Sequence, residues 1–340
     1  MSSTQQQQDS SLKKLMSAFE TPETRQSIWQ LCNTIVPFLA LWFAAYASLS
    51  VSYWLSLAFA IPAAGFLIRI FIIFHDCCHQ SFFRSRKANL IVGTITGIMT
   101  MCPYAQWRYS HSVHHATSSN LDRRGTGDIW TMTVNEYIAA SPWLRLAYRI
   151  YRNPFVMFVL GPIFVFLIEY RFNRKNAGKK ERWNTYITNA GIVGAAGIMC
   201  LAVGWQPFLM VQGTVFLLSG MVGIWLFYVQ HQFEDTYFER EPEWDFVDAA
   251  MQGSSYYKLP KPLQWITGNI GFHHIHHLNP RVPNYYLEKV HESHPRFHRV
   301  PTIDIVSSLK ALRFRLWDEE TKSFVGFREI KAVMRRLNRA

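Results

Sequence analysis

The amino-acid sequence predicts an all-α integral membrane protein with two transmembrane helical hairpins, re-entrant or interfacial helices, and a histidine-rich cap in the cytosol. Two long stretches without charged residues, 26–68 and 183–233, indicate the hairpins. All 35 Lys and Arg residues lie outside these stretches. Ten of the 13 histidines fall into four short groups at the ends of the hairpins, or between and after them.

Each uncharged stretch is long enough for two membrane spans, since one span needs roughly 20 apolar residues. Turns are expected near 49–52 and 204–207, where the chain returns to the side it left. Because Lys and Arg accumulate on the cytosolic side of membrane proteins, the other segments and both termini are predicted to be cytosolic. The predicted spans are about 28–48, 53–74, 185–204 and 208–230.

The cytosolic segments are a polar tail, 1–25, and a cap formed by 75–183 and 232–340, which make one membrane domain with the spans. The net charge of +12 is interpreted as basic residues that lie at the cytosolic face of the membrane. No nucleic-acid partner is expected, because the sequence contains no zinc finger, basic heptad or RNA-binding signature. Five cysteines, an odd number, do not predict a disulfide framework.

Two further apolar stretches, 88–107 and 153–168, are predicted to be re-entrant, interfacial or packed against the spans. The second is short and broken by Gly161-Pro162. If it crossed the membrane alone, the basic segment 171–182 would lie on the outer face, against the charge rule. If 88–107 crossed, the first two histidine groups would lie on opposite faces.

The histidine groups have the spacing of metal ligands. They are HDCCH at 75–79, HSVHH at 111–115, the single His231, and HHIHH at 273–277. On a helix, residues i and i+4 share a face, so the outer histidines of each group can hold one cation. The middle histidine of HxxHH is rotated by roughly 100° and can reach a second metal. Two histidines from HDCCH, three from each HxxHH pattern and His231 make nine imidazoles. Nine ligands are too many for one metal ion and suit two.

The predicted topology brings these groups to one membrane face. His75 and His231 each lie at the returning end of a hairpin, and the other groups lie in the cytosolic segments. A single histidine at a membrane interface is usually an amphipathic anchor, but four groups with these spacings at one face indicate a metal centre.

These motifs resemble the three histidine boxes of the membrane fatty acid desaturases. The similarity extends through HDCCHQSFF (75–83), HHATSSNLDRRGTGDIW (114–130), FYVQHQFEDTYFE (227–239) and GNIGFHHIHHLNPRVPNY (268–285). Over nearly the whole chain, the sequence is similar to the acyl-lipid desaturases of Bacillus and related bacteria.

This resemblance implies a centre of two iron ions, with O₂ as co-substrate and membrane phospholipid acyl chains as substrate. Carried onto this sequence, the implied iron ligands are His75, His79, His111, His114, His115, His231, His273, His276 and His277. It also implies ferredoxin or flavodoxin as electron donor, and desaturation at the Δ5 position, often induced by cold. His274 occupies a variable position of the third box and is not expected to be a ligand. Some members have an Asn that binds the second iron through water, and its equivalent is not evident here.

The chemistry supports the implied cofactors. Unactivated carbon–hydrogen bonds are beyond acid–base groups, so their cleavage needs O₂, two electrons and a redox cofactor. Imidazole suits iron, although soluble di-iron bundles use Glu and Glu-x-x-His ligands instead. Asp76, Asp128 and Asp235 are each expected either to orient a histidine by accepting its second N–H or to be solvated or capping carboxylates.

Several charged or histidine-containing segments have more than one interpretation. Arg69 is expected to reach lipid phosphate, with headgroup binding or support of the metal site as the alternative. Without a dinucleotide-binding loop or a fused haem segment, electrons must come from a separate donor. The basic segment 171–182 and the basic C-terminal end could both attract an acidic donor. Attraction to anionic lipid is the alternative, and it is favoured for the C-terminal end (Lys331, Arg335, Arg336, Arg339). The cluster of His291, His294 and His298 is not a predicted metal site, because Pro295 would end any helix there.

Rival functions remain open from sequence alone. A hydroxylase, ketolase or acetylenase uses the same histidine boxes. A histidine-rich metal transporter predicts polar groups inside the spans, which these hairpins nearly lack, and a membrane zinc protease needs HExxH, which is absent. The sequence does not determine the double-bond position, the chain length or the lipid headgroup.

Overall fold

The computed structural model describes residue 12 and residues 14–337, and it confirms the all-α membrane fold. Its α-helices are α1 (Thr24–Ser48), α2 (Tyr53–His79), α3 (Arg86–Met99), α4 (Tyr104–Thr117), α5 (Val134–Ala139), α6 (Pro142–Tyr151), α7 (Gly161–Leu167), α8 (Lys179–Val203), α9 (Trp205–His231), α10 (Phe246–Gln252), α11 (Lys261–Ile266), α12 (His273–Leu278), α13 (Leu287–Glu292), α14 (Ile305–Ser308) and α15 (Ile330–Leu337).

Short segments complete the described chain. A π-helical turn lies at Val156–Leu160, and 3₁₀ turns lie at Glu169–Arg171, Asn284–Tyr286, Pro295–His298 and Leu309–Arg313. Two small β-ladders join parts of the cap: β1 (Tyr256–Tyr257) pairs in parallel with β2 (Thr302–Ile303), and β3 (Leu316–Asp318) pairs antiparallel with β4 (Ser323–Val325).

Helices α1, α2, α8 and α9 are long and apolar enough to span a membrane. The first pair turns at 49–52, where the Ser52 side chain accepts a hydrogen bond from the Trp54 N–H and caps α2. The second pair turns at Gly204 alone, within the segment 204–207 where the turn was predicted. Gly204 has φ 89°, a conformation that residues with a side chain rarely adopt, so α9 can begin directly at Trp205.

The spans pack through small and branched side chains. Ala45 of α1 lies against Ala60, Ala63 and Ala64 of α2, and α9 adds Val215 to the same apolar cluster. Small residues let membrane helices approach closely. The resulting van der Waals contacts hold the helices together, because the hydrophobic effect does not drive helix association within lipid. This packing fixes the ends of α2 and α9, where His79 and His231 lie.

The apolar stretch 88–107 is bent sharply. Helices α3 and α4 meet at 99°, with a break at 100–103. Met101 lies in the left-handed region at φ 60°, and the Gly97 position approaches the Cys102 carbonyl so closely that a Cβ atom would lie 2.4 Å away. The helical segments at Pro142–Tyr151 and Val156–Arg171 are similarly bent, by 67°. The first bend carries α4, with the second histidine group, back to the end of α2.

Arg69 does not reach lipid phosphate, so the sequence-based expectation is wrong. Its side chain in α2 is buried, with 5% of the residue exposed. The Nε atom donates to Thr34 Oγ1 of α1 at 3.1 Å, and Nη1 donates to the Trp265 carbonyl. The guanidinium also lies over the Trp265 ring, 3.9 Å from its centroid. Arg69 therefore joins the first hairpin to α11, because interior partners satisfy its donors better than a snorkelling side chain would.

Arg152 is a second buried arginine, and it anchors the end of α9. Its Nη2 atom donates to Gln232 Oε1 at 3.0 Å and to the Phe314 carbonyl at 2.7 Å. It also donates to Tyr228 Oη at 3.3 Å, and Nη1 donates to the Trp130 carbonyl at 3.3 Å. The side chain thus connects α6 and the C-terminal segment to the residues beside His231.

Arg152→Met should lower the thermal unfolding temperature of the detergent-solubilised protein by about 5 °C or more. Methionine fills a similar volume but leaves several buried acceptors unpaired, at a cost of about 3 kcal/mol. The matched control is Arg123→Met, since Arg123 is exposed and its Nη1 atom lies 3.8 Å from the Glu241 carboxylate. The control should shift the transition by about 1 °C or less, and equal shifts for the two variants would contradict the anchoring role.

Candidate metal centre

Four helices deliver the nine predicted histidines to one buried cluster. The helix ends matter: α2 ends at His79, α9 ends at His231, and α12 begins at His273. Helix α4 reaches the same level after the bend that precedes it. By element, the cluster consists of His75 and His79 (α2), His111, His114 and His115 (α4), His231 (α9), and His273, His276 and His277 (α12).

The cluster divides into two adjacent sets. In the first, one nitrogen from each of five histidines lies within 4.8 Å of the others: His75, His79, His111, His115 and His276. In the second, the same is true of His114, His231 and His277. His273 belongs beside the second set, because its Nε2 atom lies 3.0 Å from His231 Nε2.

The helical spacing accounts for this division. His111 and His115, four residues apart on α4, enter the first set, and His114 between them enters the second. On α12 the pattern is reversed, since His273 and His277 lie beside His231 while His276 joins the first set. Each HxxHH group therefore contributes to both sets, as its geometry requires.

The ring nitrogens fit metal ions better than they fit one another. His114 Nε2 lies 3.2 Å from His231 Nε2, and His115 Nε2 lies 3.1 Å from His111 Nε2. Two ligand nitrogens at about 2.1 Å from one metal, in neighbouring positions, are about 3 Å apart. Other buried nitrogens have no hydrogen-bond partner: His79 Nε2, His276 Nε2 and His277 Nε2. Unpaired buried acceptors are costly unless a ligand completes them.

The protonation state also suits metal binding. Burial, followed by the neighbouring histidines, lowers the pKa of His276 and of His277 well below the usual range. Both rings are therefore neutral at pH 7, the state in which imidazole is a ligand.

Asp76 orients His75 and connects the cluster to the cap. Its Oδ1 atom lies 3.1 Å from His75 Nδ1. Its Oδ2 atom accepts from the Asn284 backbone N–H at 2.7 Å and from Asn284 Nδ2 at 2.8 Å. Asn284 in turn accepts a hydrogen bond from Gln30 of α1 at 2.9 Å. A carboxylate on the far nitrogen of a ligating histidine holds its orientation and raises its basicity.

The second set has its own polar contacts. Asp128 Oδ1 bonds His114 Nδ1, and the Gly125 N–H donates to Asp128 Oδ2 at 3.3 Å. Gly127 allows this approach: it has φ 75°, and a Cβ atom there would lie 2.8 Å from the Ser110 carbonyl. The Gly253 carbonyl lies 3.2 Å from His231 Nδ1. Asp235 differs, since it is exposed at φ 62°, in agreement with the solvated alternative.

Three supporting groups were missed at the sequence level. The Trp107 ring stacks on His111 at a centroid distance of 4.1 Å, one turn earlier on the same helix face. Its spacing of four residues could have indicated this contact. Asn284 and the Gly253 carbonyl carry no comparable signal, because long-range folding alone brings them to the site.

His274 faces away from the nine. Its Nε2 atom lies 3.1 Å from His291 Nδ1, and the rings of His291 and His298 are 4.7 Å apart. His294 Nδ1 accepts from the Arg296 N–H, so it caps the turn that begins with Pro295. Neither His274 nor these three histidines belongs to the two sets of potential metal ligands found among the described residues.

Fold and site together define a multi-pass membrane protein with a buried polyhistidine metal site. The fatty acid desaturase family model matches residues 48–301. A fatty acid desaturase of Bacillus subtilis (strain 168) is 63% identical over 322 residues, covering 95% of this chain and 92% of that protein. The chain belongs to the fatty acid desaturase family and is a desaturase oxidoreductase.

More distant relatives share part of the chain. The chloroplastic omega-6 fatty acid desaturase of Spinacia oleracea is 28% identical over 237 residues, covering 66% of this chain and 49% of that protein. The sn-1 oleoyl-lipid 12-desaturase of a Synechocystis species is 26% identical over 233 residues, covering 66% of this chain and 63% of that protein.

Asp128→Asn should weaken metal retention by about tenfold to a hundredfold, because the neutral amide holds His114 less firmly. The measurement is metal content by mass spectrometry after equilibration against a series of chelator concentrations. Asp235→Asn is the matched control, since this exposed carboxylate is expected to leave retention unchanged. Equal retention by the two variants would contradict the role of Asp128.

Proposed function

We propose that this chain is an O₂-dependent di-iron desaturase that introduces a cis double bond, at the Δ5 position, into saturated acyl chains of membrane phospholipids. The observation that carries the proposal is the division of nine clustered imidazoles into two adjacent sets, one for each iron. In this proposal the ligands are the histidines of α2, α4, α9 and α12 described above.

The reaction removes two hydrogens from neighbouring carbons. One saturated chain, O₂, two electrons and two protons give one alkene and two water molecules. When bound, the two irons would supply O₂ activation and the oxidising equivalents. Neutral imidazoles hold such ions without adding negative charge, and iron is among the metals that imidazole suits.

The protein's own groups have separate tasks in this scheme. Asp76 and Asp128 fix the directions of His75 and His114. Trp107 stacks on His111, and the Phe227 ring lies 5.1 Å from the His114 ring, so aromatic side chains limit access of water to the centre. Exclusion of water protects a reactive oxidant from side reactions.

Electrons would come from ferredoxin or flavodoxin at the cytosolic face. In the basic segment 171–182, Arg174 is paired with Glu181 at 2.7 Å, while Lys175, Lys179 and Lys180 are exposed and available to an acidic partner. The cytosolic orientation of the site and of both termini rests on the charge rule. Arg339, the side chains of Lys331 and Arg336, and residues 1–11 and 13 of the polar tail lie outside the described residues.

The lipid-linked substrate and the position of the double bond have different support. The Synechocystis relative is named for an oleoyl-lipid substrate, which supports lipid-bound acyl chains here. The Δ5 position rests on the motif resemblance to the acyl-lipid desaturases of Bacillus and related bacteria.

The proposal is tested by mass spectrometry of membrane-lipid acyl chains from a bacterial host that lacks acyl-lipid desaturation. The host expresses the chain with a ferredoxin and its reductase. New monounsaturated chains with the double bond located at Δ5 are expected. His276→Ala should abolish them, because it removes a nitrogen of the first set.

His294→Ala is the matched control, since His294 lies outside the cluster and caps a surface turn; its products should match those of the wild type. Hydroxylated or keto products would show that the centre catalyses hydroxylation or ketone formation and would overturn the proposed desaturation. Double bonds at another carbon would overturn the Δ5 assignment alone. Unchanged lipids, with iron measured in the protein, would overturn the phospholipid substrate.

A further inference from the structure

A cleft of about 740 Å³ lies beside the metal centre and is lined by four arginines. Its walls come from four parts of the chain: the segment after α2, the start of α3, the start of α4, and the loop after α12. The lining residues are Gln80, Arg84, Arg86, Leu90, Tyr104, Arg108 and Arg281. No acidic residue is among them, so the cleft is strongly cationic.

Two of the four guanidinium groups have carbonyl or carboxylate partners, and a third, that of Arg108, is hydrogen-bonded to Tyr104. Arg84 Nε donates to the Pro22 carbonyl at 3.0 Å, and Arg281 Nη1 lies 3.2 Å from the Glu20 carboxylate. Within residues 14–337, no carboxylate lies within ion-pair distance of Arg86 or Arg108, and both are exposed. An oxyanion placed between these two would therefore meet uncompensated positive charge and planar donors suited to phosphate.

Residues that line the cleft are joined to the metal centre along the chain and through hydrogen bonds. Gln80 directly follows His79, and its Nε2 atom donates to Tyr104 Oη at 2.5 Å. Tyr104 Oη donates to the Cys77 carbonyl at 2.9 Å. Arg108 lies three residues before His111 on α4, close enough to His79 for a direct electrostatic interaction. A ligand held here would lie next to the reacting centre.

The apolar side of the cleft favours a lipid over an acidic protein. Leu90 lines the cleft and is 48% exposed, and the neighbouring Ile91 and Ile95 of α3 are 48% and 55% exposed. In a membrane protein, an exposed apolar helix face beside a row of arginines marks the boundary between acyl chains and headgroups. A phospholipid matches both surfaces with one molecule.

We propose that Arg86 and Arg108, with Arg84 and Arg281 beside them, bind the phosphate of the substrate phospholipid and so position its acyl chain over the two histidine sets. This inference rests on the proposed function for the meaning of the site, but the binding itself does not require turnover. An anchored phosphate would set which carbons of the acyl chain reach the centre.

The test is binding of phosphatidylglycerol to the purified full-length protein in non-ionic detergent, with no electron donor present, measured by native mass spectrometry. Arg86→Gln/Arg108→Gln should weaken binding about tenfold or more, since it removes charge-assisted hydrogen bonds. Arg86→Lys/Arg108→Lys keeps both charges and should bind within about threefold of the wild type. Arg299→Gln/Arg313→Gln, two exposed arginines outside the cleft, should leave binding unchanged. An unchanged thermal transition confirms that each variant is folded.

Two further probes distinguish the source of the phosphate and the kind of partner. Diacylglycerol with the same chains should bind equally weakly to the wild type and to the neutralised variant. Inorganic phosphate binding as tightly as phosphatidylglycerol would overturn the lipid assignment. Phosphatidylglycerol binding unaffected by neutralisation, with loss of binding to an acidic ferredoxin instead, would assign the cleft to the electron donor. These results stand whether or not the chain makes Δ5 double bonds.

Discussion

The close approach of nine imidazole rings, several of whose buried nitrogens have no hydrogen-bond partner, is the constraint on which the rest of the structure depends. The Nε2 atoms of His231 and His273 are 3.0 Å apart. Contact between two such rings stabilises the fold little, whereas a cation bound by both would stabilise it much more. Histidines from α2 and α9 can bind neighbouring cations only if the ends of these two helices lie side by side. The bend between α3 and α4 meets the same requirement, because it brings α4 and its three histidines back to the end of α2.

Polar side chains at the edge of the spans hold the remaining parts in register. Asp76 joins His75 to Asn284, and Gln30 extends the connection to α1. Arg69 and Arg152 join α11 and the C-terminal segment to the spans. Buried donors and acceptors with so many partners tolerate little displacement, so the cap is coupled to the hairpins and not merely covering them.

The helices and most of the site could be predicted because their determinants are local. Uncharged stretches of sufficient length indicate membrane spans. The HxxHH spacing by itself predicts that the histidines of one group contact two different metal ions. Arg69 shows the limit: sequence position suggested a lipid-facing role, whereas Trp265, nearly 200 residues later, provides its partner. Asn284 and Gly253 were missed for the same reason, since only the tertiary fold brings them to the histidines. The sequence suggested the same two roles for Asp128 and Asp235, orienting a histidine or being solvated. Only the loop geometry at Gly127 shows that Asp128 contacts a histidine while Asp235 is exposed.

The most direct test of the central claim is the metal content of the purified full-length protein, prepared without chelators from iron-replete cells. Elemental analysis should find two irons per chain, and Mössbauer spectroscopy should show a pair of irons in nitrogen-rich surroundings. A single metal per chain, or zinc in place of iron at full occupancy, would contradict the assignment of the two histidine sets to a di-iron centre.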